Sequence, residues 1–255
     1  SFMELYSLTT GLIGQSGRRG ALMLTIDVKH PDVEHFLKVK KVPNWVTNQI
    51  VDQCNWSGMF EKNELETIKK QVMENTQVRF ANISIKASDE FMQAVSEQKK
   101  FHQGEFLIYK KKKNSNLYHA KQDFDKIHYS INIPSKNIED YKFLESFSTF
   151  ARLKNWLESQ YNINITKSAF CDVLKRNIFG DYSIALDNEE YDIAIRQSGD
   201  FMLYFSSDET GEIKKLLKAR DIWDQFIEGN YKTAEPGVLF WSTMSKYSPS
   251  NYVDR

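Results

Sequence analysis

The sequence predicts an α/β fold, and three observations support that class. Apolar and polar residues alternate over 22–28, which is the period of a β-strand. Pro31 then stands at a first helical position, with an apolar face behind it. A second β-like segment, 77–87, leads into an amphipathic helix over 88–95. Strands that alternate with helices in this way are typical of α/β domains.

A first helix is predicted over 2–13, because apolar side chains recur there at helical spacing: Phe2, Leu5, Leu8 and Leu12. Gly14 follows as a helix stop. The stretch GQSGRRGA, which begins at Gly14, therefore joins the end of a helix to the strand at 22–28.

Two amphipathic helices are predicted within 40–74, with a break at Ser57 and Gly58. Cys54 lies near the apolar face of the first of them, so we interpret it as a small packed hydrophobe. Further along the chain, Ser88 is expected to cap the helix that follows it.

The character of the sequence changes from about Ser96. The run KKKKNSN at 110–116 predicts a solvated hairpin or loop, although its lysines could also contact phosphate. Strand-like alternation returns at 200–205, and a helix that ends near Gly229 follows. A short apolar run at 237–241 has the length of a buried strand.

Composition indicates a soluble globular protein. Hydrophobic residues make up 41% of the chain and charged residues 27%, and no apolar run approaches the roughly 20 residues that span a bilayer. Lys plus Arg and Asp plus Glu both number 34, so no basic field would recruit nucleic acid. The two cysteines, Cys54 and Cys171, have no metal-ligand spacing. We therefore expect a cytoplasmic protein without a nucleic-acid partner, a membrane or a bound metal.

The glycine-bracketed loop has a specific chemical use. Glycines let a backbone approach a flat or anionic ligand, while guanidinium planes stack on bases or bind phosphate through two hydrogen bonds. Arg18 and Arg19 could equally pair with acidic side chains at an α/β surface. The loop alone leaves both interpretations open.

Three stretches together resemble the catalytic large subunit of ribonucleotide reductase, and they occur in the same order as in that family. They are 1–40 with the Arg-Arg-Gly-Ala loop and the His-Pro-Asp helix, 75–95, and 218–252 with the Glu-Pro-Gly strand. The resemblance is closest to the adenosylcobalamin-dependent class II branch. It implies part of a ten-stranded α/β barrel in 1–95 and a continuation of the barrel in 198–255. The resemblance does not explain 96–197, which we expect to form an inserted small α+β subdomain because the character of the sequence changes there.

The resemblance also implies roles for the loop residues. In the family, this loop transmits the identity of a bound deoxynucleotide effector to the ribonucleotide substrate. Gln15 and Arg19 match the substrate-facing glutamine and arginine, with Arg18 beside them, and Gly17 and Gly20 flank the arginines. The specificity loop is thus expected to consist of these five residues together with Ser16. The helix 2–13 is expected near the interface of a homodimer, where the effector binds.

The family's reaction uses a thiyl-radical cysteine within Asn-x-Cys-x-Glu, and this pattern does not occur in the sequence. No catalytic residue is therefore expected in this chain. We expect an internal fragment, inactive alone, of an enzyme that reduces ribonucleoside diphosphates or triphosphates for DNA replication. Adenosylcobalamin is expected in the complete enzyme, or else a partner subunit with a metal-based radical.

Two other functions remain open from the sequence. The chain could be a noncatalytic nucleotide-binding or assembly module, or 96–197 could be an interaction domain. Among single residues, His30 is expected to cap a helix, and Glu235 and Ser248 are expected in turns. Asn82, on an interior strand, could hold either neighbouring backbone or a ligand.

Overall fold

A computed structural model describes residues 2–15, 18–41, 44–74, 78–113, 134–187, 190–209 and 211–248. The described helices are α1 Phe2–Leu12, α2 Val33–Phe36, α3 Asn44–Trp56, α4 Lys62–Glu74, α5 Asp89–Lys100, α6 Phe150–Tyr161, α7 Lys167–Cys171, α8 Ala219–Thr233 and α9 Trp241–Lys246. The described strands are β1 Gly14–Gln15, β2 Arg18–Arg19, β3 Met23–Asp27, β4 Asn82–Ala87, β5 Phe106–Lys112, β6 Tyr141–Phe147, β7 Tyr182–Ile184, β8 Tyr191–Gln197, β9 Asp200–Ser207, β10 Gly211–Lys218 and β11 Gly237–Phe240.

The described strands form four sheets. β1 pairs with β2, β9 pairs with β10, one sheet has the order β11-β4-β3, and a four-stranded sheet has the order β6-β5-β8-β7. The class is therefore mixed α/β, as predicted. These sheets are open, so the described residues do not form the closed barrel that the resemblance implies.

The chain divides into two compact units, which we describe separately. The first contains 1–26, 34–85 and 225–237, and the second contains 27–33, 86–224 and 238–255. The boundaries expected at 95 and 197 stay a prediction.

The second unit is built around the antiparallel four-stranded sheet. One face carries a core of aliphatic and aromatic side chains, which includes Phe106 and Ile108 of β5, Ile193 of β8 and Leu153 and Leu157 of α6. The sequence favours this packing because the two leucines lie four residues apart on one face of α6. Residues of β5 with odd numbers point to the other face by the period of a strand.

Several element predictions are confirmed. Ser88 caps α5, and its hydroxyl accepts a hydrogen bond from the backbone N–H of Phe91 at 3.3 Å. α3 and α4 are separated at Ser57 and Gly58, where Gly58 has a φ of +66°. That left-handed conformation favours glycine and ends the first helix.

Three local predictions are wrong. The strand predicted from residue 77 begins at Asn82, because 78–80 form a turn in which Val78 has a φ of +58°. Lys110 to Lys112, expected in a solvated hairpin or loop, belong to β5, where they pair with both β6 and β8, and residues 114–116 of that run lie outside the described residues. The helix α8 continues past Gly229 to Thr233.

Candidate functional site

The candidate site lies where α1 passes into the arginine loop, and two polar side chains fix the helix. The Ser7 hydroxyl is fully buried and accepts a hydrogen bond from the backbone N–H of Phe80 at 2.9 Å. The Glu4 carboxylate accepts one from the N–H of Val78 at 2.6 Å. Both acceptors satisfy backbone donors of the turn that precedes β4, so the helix is tied to that turn.

The loop itself is a short antiparallel hairpin. Gly14 pairs with Arg19 and Gln15 with Arg18, so β1 and β2 bring the two expected substrate-facing positions onto adjacent strands. Ser16 and Gly17, between the strands, lie outside the described residues. The side chains of Gln15, Arg18 and Arg19 lie outside the described part as well.

Gly20 is the one expected site residue with a described environment. A Cβ at this position would lie 2.9 Å from Cγ2 of Thr10 and 3.2 Å from the Thr10 carbonyl oxygen. A side chain would therefore push the end of the hairpin away from α1. Gly11, on the same helix, makes a similar approach, since its Cβ would lie 2.4 Å from the Phe80 ring.

The outward side of α1 is apolar. Phe2 and Leu12 are 81% and 85% exposed, and Leu5, Leu8 and Ile13 are exposed too. The spacing that predicted a helix is confirmed, but these side chains do not lie in the core of the unit. A contiguous exposed apolar patch of this kind is typical of a surface that another molecule covers.

A second feature of this unit is a lysine that joins three segments. Lys40 donates hydrogen bonds to the Glu235 carboxylate and, at 2.5 Å, to the carbonyl oxygen of Ala81. It thereby connects the end of the His-Pro-Asp segment to the residue before β4 and to the turn before β11. Glu235 has a structural role and lies between bends at Ala234 and Pro236, and its expected place in a turn stays a prediction.

The other residues singled out from the sequence have structural contacts. Nδ1 of His30 accepts a hydrogen bond from the backbone N–H of Asp32 at 3.1 Å, and its predicted capping role stays a prediction because both residues precede α2. Asn82 lies on β4 with an exposed side chain, and its backbone N–H donates to the Leu22 carbonyl at 2.8 Å. Cys54 is half-buried in α3, and Cys171 is exposed at the end of α7.

Two buried carboxylates of α5 organise the second unit. Both oxygens of Glu90 accept hydrogen bonds from the ammonium group of buried Lys29, at 2.8 and 2.9 Å. Glu97, seven residues along the same helix, accepts from Arg196, from the Tyr109 hydroxyl at 2.7 Å and from the Gly199 N–H at 3.2 Å. The two carboxylates face the same side of the helix, because seven residues are close to two turns.

A third buried carboxylate extends this network. Asp181 lies 2.8 Å from the ammonium group of Lys136 and 3.7 Å from the guanidinium group of Arg196. Burial tends to raise the pKa of Asp181, but Lys136 and Arg196 outweigh that effect and bring it below its usual value. Burial, with a further contribution from Arg196, lowers the pKa of Lys136 to about 8.

The sequence did not predict these contacts. Glu90 and Glu97 lie seven residues apart in the sequence, but acidic residues on a helix are ordinarily exposed to solvent, so this spacing does not indicate burial. Their cations lie 61 and 99 residues away, so a local pattern could not identify them.

Neither a metal site nor a membrane-spanning helix is found in residues 2–15, 18–41, 44–74, 78–113, 134–187, 190–209 and 211–248. Within these ranges, no group of three or more His, Cys, Asp and Glu could hold a metal ion. No helix of the same ranges combines the length and apolar character that crossing a membrane requires.

Comparison with known proteins identifies a family and relatives to which this chain is similar. The family model "Ribonucleotide reductase, barrel domain" matches residues 1–129. A vitamin B12-dependent ribonucleoside-diphosphate reductase of Thermoplasma acidophilum is 27% identical over 100 residues, which are 39% of this chain and 10% of the relative. A vitamin B12-dependent ribonucleotide reductase of Agrobacterium fabrum is 23% identical over 254 residues, 98% of this chain and 16% of the relative. The chain therefore spans less than a fifth of either relative.

Proposed function

Because the chain belongs to the ribonucleotide reductase family, we propose that it is the specificity-loop region of a catalytic subunit of the B12-dependent, class II type. The complete protein would reduce ribonucleotides to deoxyribonucleotides by thiyl-radical chemistry, in the cytoplasm. This region would contribute part of a ten-stranded barrel, with 96–197 as an insertion. It would also contribute the element that matches substrate choice to the effector.

The observation that carries this proposal is how the arginine loop is attached to α1. Ser7 and Glu4 hold α1 in place, and Gly20 lets the end of the hairpin approach Thr10 closely. A loop with a fixed base and glycines in its sequence can rearrange at its tip without disturbing the helix. In our proposal Gln15 reports the bound effector, and Arg19 contacts the substrate base or its phosphates.

The exposed apolar side of α1 supports the proposed homodimer. Phe2, Leu5 and Leu12 lie at helical spacing and are all exposed. Burial of such a stripe against a second copy would stabilise association by about 25 cal/mol per Å² of apolar surface removed from water. The effector would bind beside this interface, at the base of the loop.

The radical chemistry is assigned to the rest of the protein. Neither Cys54 nor Cys171 has Asn two residues before it and Glu two residues after it, so neither matches the family's radical motif. When bound, adenosylcobalamin would supply the initial radical. The cavity beside β5 is lined by lysines and carboxylates, which does not fit the apolar face of a corrin ring. We therefore assign none of the described residues that line this cavity to the cofactor. A metal-bearing partner subunit is the alternative radical source.

The test uses the complete enzyme with Gln15→Ala, Arg19→Lys and, as a matched control, Arg220→Lys at a half-exposed position of α8. Reduction of the four ribonucleotides is measured with and without each deoxynucleotide effector. Lysine lacks the planar fork of donors, so Arg19→Lys should lower kcat/KM roughly tenfold to a hundredfold, or about 1–3 kcal/mol. Gln15→Ala should weaken effector-dependent preference. Wild-type preference in both variants would mean that the loop is only structural.

The alternative function is a noncatalytic nucleotide-binding or assembly module, in which the arginine loop would bind a nucleotide and the parent protein would lack Asn-x-Cys-x-Glu. The two proposals differ in what the parent protein contains. We expect the isolated 255-residue chain to show no reduction of any ribonucleotide above a no-protein control. We expect activity from the parent protein that carries the cysteine motif, and a parent without that motif would favour the binding module.

A further inference from the structure

The far end of the four-stranded sheet carries a cluster of lysines. Lys110 and Lys112 follow the core residue Ile108 at alternate positions of β5, so all three point to one face of the sheet. Lys142 of β6 lies directly opposite Lys110, and Tyr191 of β8 lies directly opposite Lys112. Together these four side chains line a cavity of about 730 Å³.

The pairing of Lys110 with Lys142 is the unusual feature. Like charges directly opposite each other on antiparallel strands are destabilising. No carboxylate of a described residue lies within 4.0 Å of either ammonium group. By contrast, Lys112 lies 3.8 Å from Asp140. The Lys110 ammonium group lies instead over the Tyr191 ring, 3.9 Å from its centroid, which keeps that charge at the cavity.

The charge of the cavity indicates what would occupy it. Among the described residues, four lysines and three carboxylates line it, which leaves one excess positive charge. Opposite Cβ atoms on paired strands are about 5 Å apart, and alternate residues of a strand about 7 Å apart. Flexible lysines over these distances can direct three ammonium groups toward one short chain of phosphates, and each ammonium offers three donors.

We propose that this cavity, at the end of the sheet formed by β5, β6 and β8, binds a diphosphate or triphosphate group. The bound anion would neutralise the opposed Lys110 and Lys142, and Lys112 would exchange its distant Asp140 contact for a phosphate oxygen. The cavity volume lies within the roughly 300–1,000 Å³ that is usual for small-ligand sites. This site lies on different elements from the arginine loop, so the inference does not depend on the proposed function.

The experiment is isothermal titration of the 255-residue chain with inorganic pyrophosphate and, separately, with ADP. Lys110→Gln and Lys142→Gln each remove one of the opposed charges. Lys111→Gln is the matched control, because Lys111 lies on the same strand but points to the other face. An Arg18→Gln, Arg19→Gln variant removes the cations of the loop. Circular dichroism and the thermal midpoint establish that each variant folds.

We expect saturable binding that weakens roughly tenfold in the Lys110 and Lys142 variants, as for the loss of one charge-assisted contact. Binding should be unchanged in the Lys111 and arginine-loop variants. Tighter binding of ADP than of pyrophosphate would identify a nucleotide site, and equal binding would identify the phosphate chain as the whole recognised group. No binding at millimolar pyrophosphate, or equal weakening by Lys111→Gln, would overturn the proposal.

Discussion

Replacement of Arg196 by Met tests whether the buried charge network holds the second unit together. The side chains of Arg196 and Glu97 are only 2% and 4% exposed. Without the guanidinium group, Glu97 keeps two neutral donors, Tyr109 and the Gly199 N–H, and its charge stays uncompensated. Removal of one partner from a buried pair costs about 3–5 kcal/mol in free energy of unfolding.

The matched control is Arg220→Met. Arg220 pairs with Asp224 at 2.9 Å, but the two side chains are 35% and 60% exposed. Solvent screens that pair, so its loss should cost only about 0.3–0.5 kcal/mol.

The assay is urea unfolding followed by tryptophan fluorescence, with wild type, both single variants and the double variant Glu97→Gln, Arg196→Met. The double variant should be more stable than Arg196→Met alone, because it no longer buries an uncompensated carboxylate. If Arg196→Met lies within about 1 kcal/mol of Arg220→Met, the network does not stabilise the unit and the reasoning is wrong.

Three further predictions concern single side chains. Gly20→Ala should cost about 1–3 kcal/mol, because its methyl group would overlap Thr10, and an unchanged unfolding midpoint would contradict that contact. The free energy of unfolding should rise by on the order of 2 kcal/mol between pH 8 and pH 10. In this pH range Lys136 is deprotonated in the folded chain but still protonated in the unfolded chain, so unfolding takes up a proton and becomes less favourable as the pH rises. In Lys136→Met this rise should disappear from the pH titration of stability, and its persistence would assign it to another group. Lys40→Met should lower the free energy of unfolding by about 1–3 kcal/mol, because the Glu235 carboxylate and the Ala81 carbonyl lose their donor. The exposed control Lys232→Met should lower it by less than about 0.5 kcal/mol, and equal losses of the two variants in urea unfolding would contradict this role of Lys40.

Elements that depend on neighbours in sequence could be predicted. The cap at Ser88 requires only a hydroxyl and the N–H three residues later. The strand β3 requires only alternation of side chains. Both elements can therefore be predicted without knowledge of the rest of the chain.

Elements that depend on distant residues could not be predicted. Val78 is β-branched and would ordinarily avoid a positive φ, but its N–H binds Glu4, 74 residues away. Lys110 to Lys112 look like a solvated turn until β6 and β8 are seen on either side. In each case the deciding partner is absent from the local window.

The candidate site also has local features that could be predicted from the sequence and long-range features that could not. The position of the loop between a helix and a strand followed from spacing and glycine content. Its hairpin register and the approach of Gly20 to Thr10 did not, because both depend on how the chain folds back on α1. The hydrogen bond by which Ser7 holds α1 to the turn before β4 could not be predicted either, since a serine in a helix is usually solvated.

The ion pair between Glu97 and Arg196 sets an order of events during synthesis. The chain must extend by 99 residues after Glu97 before the guanidinium group exists. Until then, helix α5 cannot bury that face without leaving a charge uncompensated in the interior. We therefore expect a ribosome-bound chain from which Arg196 has not yet emerged to keep α5 open to proteases, and a chain that has emerged through β9 to protect it.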